Sequence, residues 1–268
     1  MKTRLNILAF GLLAASGLAT SSLSAHASTS AWTETPGGRV RVIIEDGAVS
    51  TEAGPKREIR GALQIELQPG WKTYWRNPGD AGVPPQINLD GNANAQIDYP
   101  APVRFGGDGD GIGYKKPVSL PIIFQLQPDD TRLKGHAFLG VCEHICIPVQ
   151  AEFDFPVSTN VESAEPQAIA ARTIVETAFG RLPATASPSF GVRTVKRDQD
   201  TAIFTLAVPD PKAPAELFVA SDKLRLSDPV ASDGRNFTVT VKGDARYATV
   251  DYTIVQNGKA VSGEVTLD

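Results

Sequence analysis

The sequence is poor in sulfur and carries little net charge. Met1 is its only methionine, which removes the thioether ligands that Met-rich copper carriers use. The formal net charge is only −4, with no long basic run, and this argues against nucleic acid as a partner. No apolar run is long enough to span a bilayer. The longest, Ile7 to Leu18, is about a dozen residues, against the roughly 20 that a spanning helix needs. A G-x-S-x-G motif is absent, and a cysteine–histidine protease arrangement does not want a second cysteine nearby, so hydrolysis gains no support. From Phe190 onward there is neither cysteine nor histidine. Chemistry is therefore not expected in that part.

The apolar run belongs to a leader. Lys2 and Arg4 form a basic start, and small and polar residues follow the run as far as Ala25-His26-Ala27. This is the pattern of a secretory signal with an A-x-A site, cleaved before Ser28. The expectation is an exported, periplasmic protein in a compartment where disulfides form and persist. A hydrophobic fraction of 41% against 21% charged residues supports a packed core, and the length leaves room for two domains of ordinary size.

The chain reads as short strands between glycine and proline turns. Arg39 to Glu45, Ile59 to Leu67, Ala95 to Tyr99, Val118 to Leu126, His136 to Val141 and Gln150 to Val157 carry strand patterns. Pro121 suggests an edge or a bulge. Pro69-Gly70 precedes the aromatic stretch Trp71-Lys72-Thr73-Tyr74-Trp75-Arg76, and Asn77-Pro78-Gly79-Asp80 is a turn by composition. Between Arg104 and Tyr114 lies a loop with five glycines; its glycine content implies mobility, and Asp108-Gly109-Asp110-Gly111 lacks the ligand spacing of a calcium loop. Ala164-Glu165-Pro166 opens a helical pattern that runs to Phe179, with Gly180 as its stop. Leu182 to Pro188 reads as linker, and strands then return from Phe190 to Leu267, with Asn257-Gly258 as a hairpin turn. The fold class expected is mainly β: an immunoglobulin-like β-sandwich followed by a linker helix and a second, smaller β-sandwich-like domain. The organisation is a signal peptide (1–27), a sandwich with the cysteine pair (28–160), a linker helix (161–187) and a second β domain (188–268).

Both cysteines fall in Gly140-Val141-Cys142-Glu143-His144-Ile145-Cys146-Ile147-Pro148, spaced C-x3-C. Three chemistries suit such a pair. A structural disulfide in a non-catalytic interaction module is one, but a ring of about five residues stabilises by only ~2 kcal/mol in the chain-entropy model and ties together no distant parts of a fold. Thiol–disulfide exchange is the second. Cys142 and Cys146 supply each other's partner, His144 stabilises a thiolate if its ring faces the sulfurs and is otherwise an ordinary exposed loop histidine, and Glu143 works the other way by raising a thiol's pKa. A soft-metal site is the third: Cys142, His144 and Cys146 suit copper(I) or zinc, with His136 as a candidate fourth ligand, although the spacing is not a common zinc pattern and oxidation would destroy the site. In the exchange reading no cofactor is required. Among the aromatics, Trp71, Tyr74 and Trp75 divide between core anchors and a rim where a partner docks.

Dispersed motifs add a resemblance. Gly70-Trp71-Lys72-Thr73-Tyr74-Trp75-Arg76-Asn77-Pro78-Gly79-Asp80, Pro100 to Phe105, Gly113-Tyr114, Leu120-Pro121 and Val141 to Pro148 together resemble the N-terminal periplasmic domain of the thiol:disulfide interchange protein DsbD, and more closely its ScsB-like relatives linked to copper tolerance. The match covers about Trp32 to Val157. It implies a cysteine pair that accepts electrons from a membrane-embedded domain and reduces thioredoxin-like or disulfide-isomerase-like periplasmic partners. It also implies a cap aromatic, which falls on Phe105, and an aromatic beside the pair, which falls on Tyr74 or Trp75. The family's pair is spaced C-x5-C, so ring geometry and reduction potential are this chain's own. The sequence shows no transmembrane conductor, so the expectation is a separate protein as the electron source or a function shifted towards metal handling or scaffolding.

Overall fold

The computed structural model describes residues 28–45, 49–50, 57–79, 82–106, 111–157, 166–244 and 246–267. The leader, Asp80, the Asp108-Gly109-Asp110 segment and the Ala164-Glu165 helix start lie outside the described residues.

Two sheets face each other in the first part of the chain. One has the order Thr33–Thr35, Gly38–Ile44, Arg57–Leu67, Val118–Leu126, Asn94–Ile97, and Val49–Ser50 adds to Arg57–Leu67. The other has the order Cys146–Pro156, Arg132–Cys142, Lys72–Tyr74, Gly111–Tyr114, Val103–Phe105, with Gln86–Leu89 also paired to Arg132–Cys142. Alternation makes the sandwich. Along Cys146–Pro156 the buried residues are Val149, Ala151, Phe153 and Phe155, every second position, as a strand with one face in a core requires. Phe124 from the first sheet meets Phe153 from the second edge to face at 6.1 Å. Each ring removed from water in this way contributes about 1.5–3 kcal/mol.

Pro121 departs from the expectation drawn from its type. It lies within the sheet, opposite Ala62, in a regular register. Its carbonyl accepts from the Asp98 N–H at 2.9 Å, so its amide faces the Asn94–Ile97 side, just past that strand's end. The missing N–H therefore removes no ladder bond.

The helix, Pro166–Phe179, does more than link. Ala171, Val175 and Ala178 pack on Ile43 and Ala62, on the outer face of the first sheet, and the Arg60 guanidinium sits 4.2 Å above the Phe179 ring. Pro166 suits the first helical position because its φ is pre-set and no N–H partner is needed there.

Beyond the helix are two further sheets. One has the order Ala184–Thr185, Lys259–Leu267, Ala248–Gln256, Glu216–Ala220, and the other Gly191–Asp198, Thr201–Ala207, Asn236–Lys242, Arg225–Leu226, with Val230–Ala231 added to Asn236–Lys242. Phe204, Leu217, Val219, Val239 and Ile254 fill the space between them. Part of the segment read as linker is a strand, since Ala184 and Thr185 pair in parallel with Val261 and Ser262. Asn257 and Gly258 both have positive φ (50° and 73°), the backbone that a two-residue type I′ hairpin needs.

The two sandwiches share a boundary. Phe218 and Ala220 of the second are buried within the core of the first, with Phe218 6.1 Å from Trp75 edge to face.

Candidate functional site

The cysteines end one strand and begin the next. Arg132–Cys142 and Cys146–Pro156 pair along their whole length, Cys142 is the register partner of Cys146, and Glu143-His144-Ile145 form the connecting tip. Such pairing brings two side chains to one face at contact distance, and the sulfurs are joined in a disulfide.

The pair is asymmetric. Cys142 is 2% exposed, whereas Cys146 and the tip residues are exposed, Ile145 to 74%. Cys142 lies in a small apolar cluster with Tyr74 and Phe105. The two rings meet edge to face at 5.9 Å. The Tyr74 hydroxyl is 3.4 Å from Cys146 Sγ, and burial raises its pKa above the ordinary 10. It therefore stays protonated where thiols titrate, and the hydroxyl is placed to donate to that sulfur.

Glycines let these rings close in. A Cβ on Gly82 would stand 2.5 Å from the Tyr74 ring, and one on Gly111 would stand 3.2 Å from both the Tyr74 and Phe105 rings. Beneath them, Thr73 is fully buried and its hydroxyl donates to the Gly140 carbonyl at 2.9 Å, which ties the Tyr74 strand to the cysteine hairpin.

Trp75 requires a correction. Successive side chains on a strand point to opposite faces, so with Tyr74 turned to the disulfide, Trp75 turns into the core. It is 1% exposed and packs edge to face on Tyr99 at 6.4 Å as well as on Phe218. Of the two aromatics read as neighbours of the pair, Tyr74 is the one in contact. Glu143 lies over the tight turn at Gly70, where a Cβ would meet its Oε1 at 3.2 Å. His144 is exposed at the hairpin tip. His136, six residues before Cys142 on the same strand, is about 20 Å away at ~3.3 Å per residue, and its Nε2 is 3.2 Å from Asn88 Nδ2. Among the described residues, no group of three or more His, Cys, Asp and Glu side chains gathers as metal ligands do.

Two features have no local signal in the sequence. The Lys72 and Lys115 ammonium groups lie 5.1 Å and 5.5 Å from the centre of the Phe105 ring, which sets positive charge beside a ring that shares an apolar cluster with Cys142. Lys72 is also the register partner of Cys142, a long-range pairing with no local signal. The second is Arg104, next to Phe105, whose guanidinium reaches the second sandwich at Glu216, Leu217 and Asp228.

Comparisons with known proteins place these residues in context. The family model described as "Thiol:disulfide interchange protein DsbD, N-terminal" matches residues 39–158. The crystal structure of the N-terminal periplasmic domain of ScsB from Proteus mirabilis superposes with a TM-score of 0.67 at 21% identity, covering 91% of this chain and 99% of that one, which shows a shared fold across both sandwiches. A marsupial T cell receptor (TM-score 0.20, 13% identity, 87% of this chain and 98% of that one) and InvD of Yersinia pseudotuberculosis (0.18, 11%, 84% and 57%) also match, at scores too low to carry an argument. Among curated proteins nothing matches. No helix among the described residues is long and apolar enough to cross a membrane.

Proposed function

Through residues 39–158 the chain belongs to the family of DsbD N-terminal domains, and from that membership we propose that it is a periplasmic thiol–disulfide exchange protein working through Cys142 and Cys146, with Cys146 the sulfur that meets the partner. The observation that carries this reading is the asymmetry of the pair: Cys146 is exposed beside a hairpin tip, and Cys142 is buried with Phe105 and Tyr74.

The chemistry follows from in-line attack of thiolate on sulfur. In the oxidised protein, a partner's thiolate attacks Cys146 Sγ. The Cys142–Cys146 bond breaks, Cys142 leaves with the electron pair, and a mixed disulfide joins Cys146 to the partner. A second partner thiolate then attacks its own sulfur in that bond, releasing the dithiol form of this protein and the partner's disulfide. In the reverse direction the Cys146 thiolate attacks a partner disulfide and Cys142 resolves the product. The Tyr74 hydroxyl supports Cys146 as nucleophile and as leaving group by donating to its developing charge. Phe105 and the Tyr74 ring keep Cys142 from unselective oxidants, which matters for a reduced dithiol in an oxidising compartment. Thioredoxin-like or disulfide-isomerase-like proteins are the partners this reading implies, and a membrane-embedded conductor is the electron source it calls for.

Trapping tests it. Cys142→Ser should accumulate a mixed disulfide between Cys146 and a thioredoxin-fold partner, reversible by dithiothreitol. Cys146→Ser should trap little. Equal trapping by both variants, or by neither, would refute the assignment.

A further inference from the structure

Phe105 sits on a strand that has little of its own to hold it. Val103–Phe105 is three residues long, lies at the sheet's edge and, among the described residues, pairs only with Gly111–Tyr114. Short edge strands with few ladder bonds are the elements that open most readily. Alternation puts Phe105 on the disulfide side of this strand and Arg104 on the other.

On that other side Arg104 is gripped from several directions. Its Nε is 2.8 Å from Asp228 Oδ2 and 3.2 Å from Oδ1, and its Nη2 is 2.8 Å from Asp228 Oδ1. Nη1 donates to Glu216 Oε2 at 3.0 Å, and Nη2 also donates to the Leu217 carbonyl at 2.6 Å. The guanidinium carbon stands 4.3 Å above the Phe218 ring. The aromatic strand is held from the same side: Arg76 pairs with Asp251 at 2.7 Å, Asn77 donates to the Val219 carbonyl at 2.9 Å, and Trp75 packs on Phe218. Both rings that cover Cys142 are thus followed or preceded in the chain by residues anchored in the second sandwich.

We propose that Arg104 is a positioning residue: by fixing its strand to Asp228, Glu216 and Phe218 of the second sandwich, it holds Phe105 against Cys142 and limits the access of small reagents to that sulfur. The inference rests on the exchange reading and gives the second sandwich, which carries no cysteine or histidine, a part in that chemistry. It backs the shield. A planar fork that bonds a carboxylate, a second carboxylate and a carbonyl while stacking on a ring is a task for arginine, and lysine cannot reproduce it.

The test uses the full chain in its reduced form. The rate of Cys142 alkylation by iodoacetamide is read by peptide mass spectrometry in Arg104→Lys, Asp228→Asn and the milder Glu216→Gln. Arg39→Gln, which breaks an ion pair with Glu66 elsewhere on the molecule, is the control. Arg104→Lys and Asp228→Asn should raise the rate about three- to tenfold, the scale of a partly exposed bidentate pair. Glu216→Gln should raise it less, and the control should leave it unchanged. Each increase should stay constant in low urea, because local opening of the edge strand exposes little surface. Wild-type rates in the Arg104 and Asp228 variants would overturn the proposal, as would an increase that climbs with urea alongside global unfolding. Failure of the exchange reading looks different: the wild-type pair would not exchange with thioredoxin-fold proteins, while alkylation of Cys142 would still respond to Arg104.

Discussion

Replacing Tyr74 by phenylalanine deletes one oxygen and keeps the ring that packs on Phe105, so its effect isolates the hydroxyl 3.4 Å from Cys146 Sγ. Because burial raises the tyrosine pKa, the hydroxyl is a neutral donor throughout the range in which a thiol ionises. A hydrogen bond to a charged group contributes roughly 1.5–3 kcal/mol. Water competes at the exposed Cys146, so about 1 kcal/mol is the appropriate share. At about 1.36 kcal/mol per pKa unit, Tyr74→Phe should raise the Cys146 pKa by about 0.7 unit. The thiolate fraction near neutral pH then falls about fivefold, while the intrinsic nucleophilicity of the less acidic thiol rises about twofold for a Brønsted slope of about 0.4–0.5. Net attack at neutral pH should slow by about two- to threefold. Iodoacetamide alkylation of Cys146 between pH 5 and 10, in a Cys142→Ser background with and without Tyr74→Phe, reads the shift directly. An unchanged or lowered midpoint would refute the argument that the hydroxyl stabilises a Cys146 thiolate.

Three further outcomes are expected. Phe105→Ala uncovers Cys142, so alkylation of that sulfur in the reduced protein should accelerate severalfold; a rate equal to wild type would remove Phe105 as the shield. Trp75→Ala empties a site shared by the first core and Phe218 and should cost about 3–5 kcal/mol in urea unfolding, whereas a loss below about 1 kcal/mol would contradict the packing described. Asp251 has its pKa raised, first by burial and against the pull of Arg76. Its folded form therefore holds a proton more tightly than the unfolded chain, and the carboxylate weighs against the fold at neutral pH. That penalty builds as pH rises from the ordinary value of 3.8 to the raised one, and it disappears on acidification through the same window. Asp251→Asn should flatten the stability profile there, and a profile unchanged from wild type would show that Asp251 is not the group responsible.

What the sequence made legible was local or periodic. Alternation located Ile59 to Leu67 and Gln150 to Val157 as strands, Pro166 and Gly180 bracketed the helix, and Asn257-Gly258 marked a hairpin through its need for positive φ. The cysteine hairpin was readable for the same reason, because its two strands are neighbours in sequence. Tyr74 and Trp75 were not separable, since both carry a ring and the choice depends on which face of a three-residue strand meets the partner sheet. Pro121 misled because proline type alone does not reveal which side its amide faces. Ala184 and Thr185 read as linker because two residues hold no periodicity. Arg104 was invisible for a different reason. Its carboxylate partner Asp228 is 124 residues away, so only the docking of the second sandwich gives it a role.

The most direct measurement is the reduction potential of the Cys142/Cys146 pair in the full chain, equilibrated with glutathione or dithiothreitol buffers and read by thiol labelling. A pair that relays electrons among thioredoxin-fold proteins should lie between roughly −270 and −120 mV, the span of those partners. A potential well below about −300 mV, the territory of structural disulfides, would contradict exchange as the function of this site.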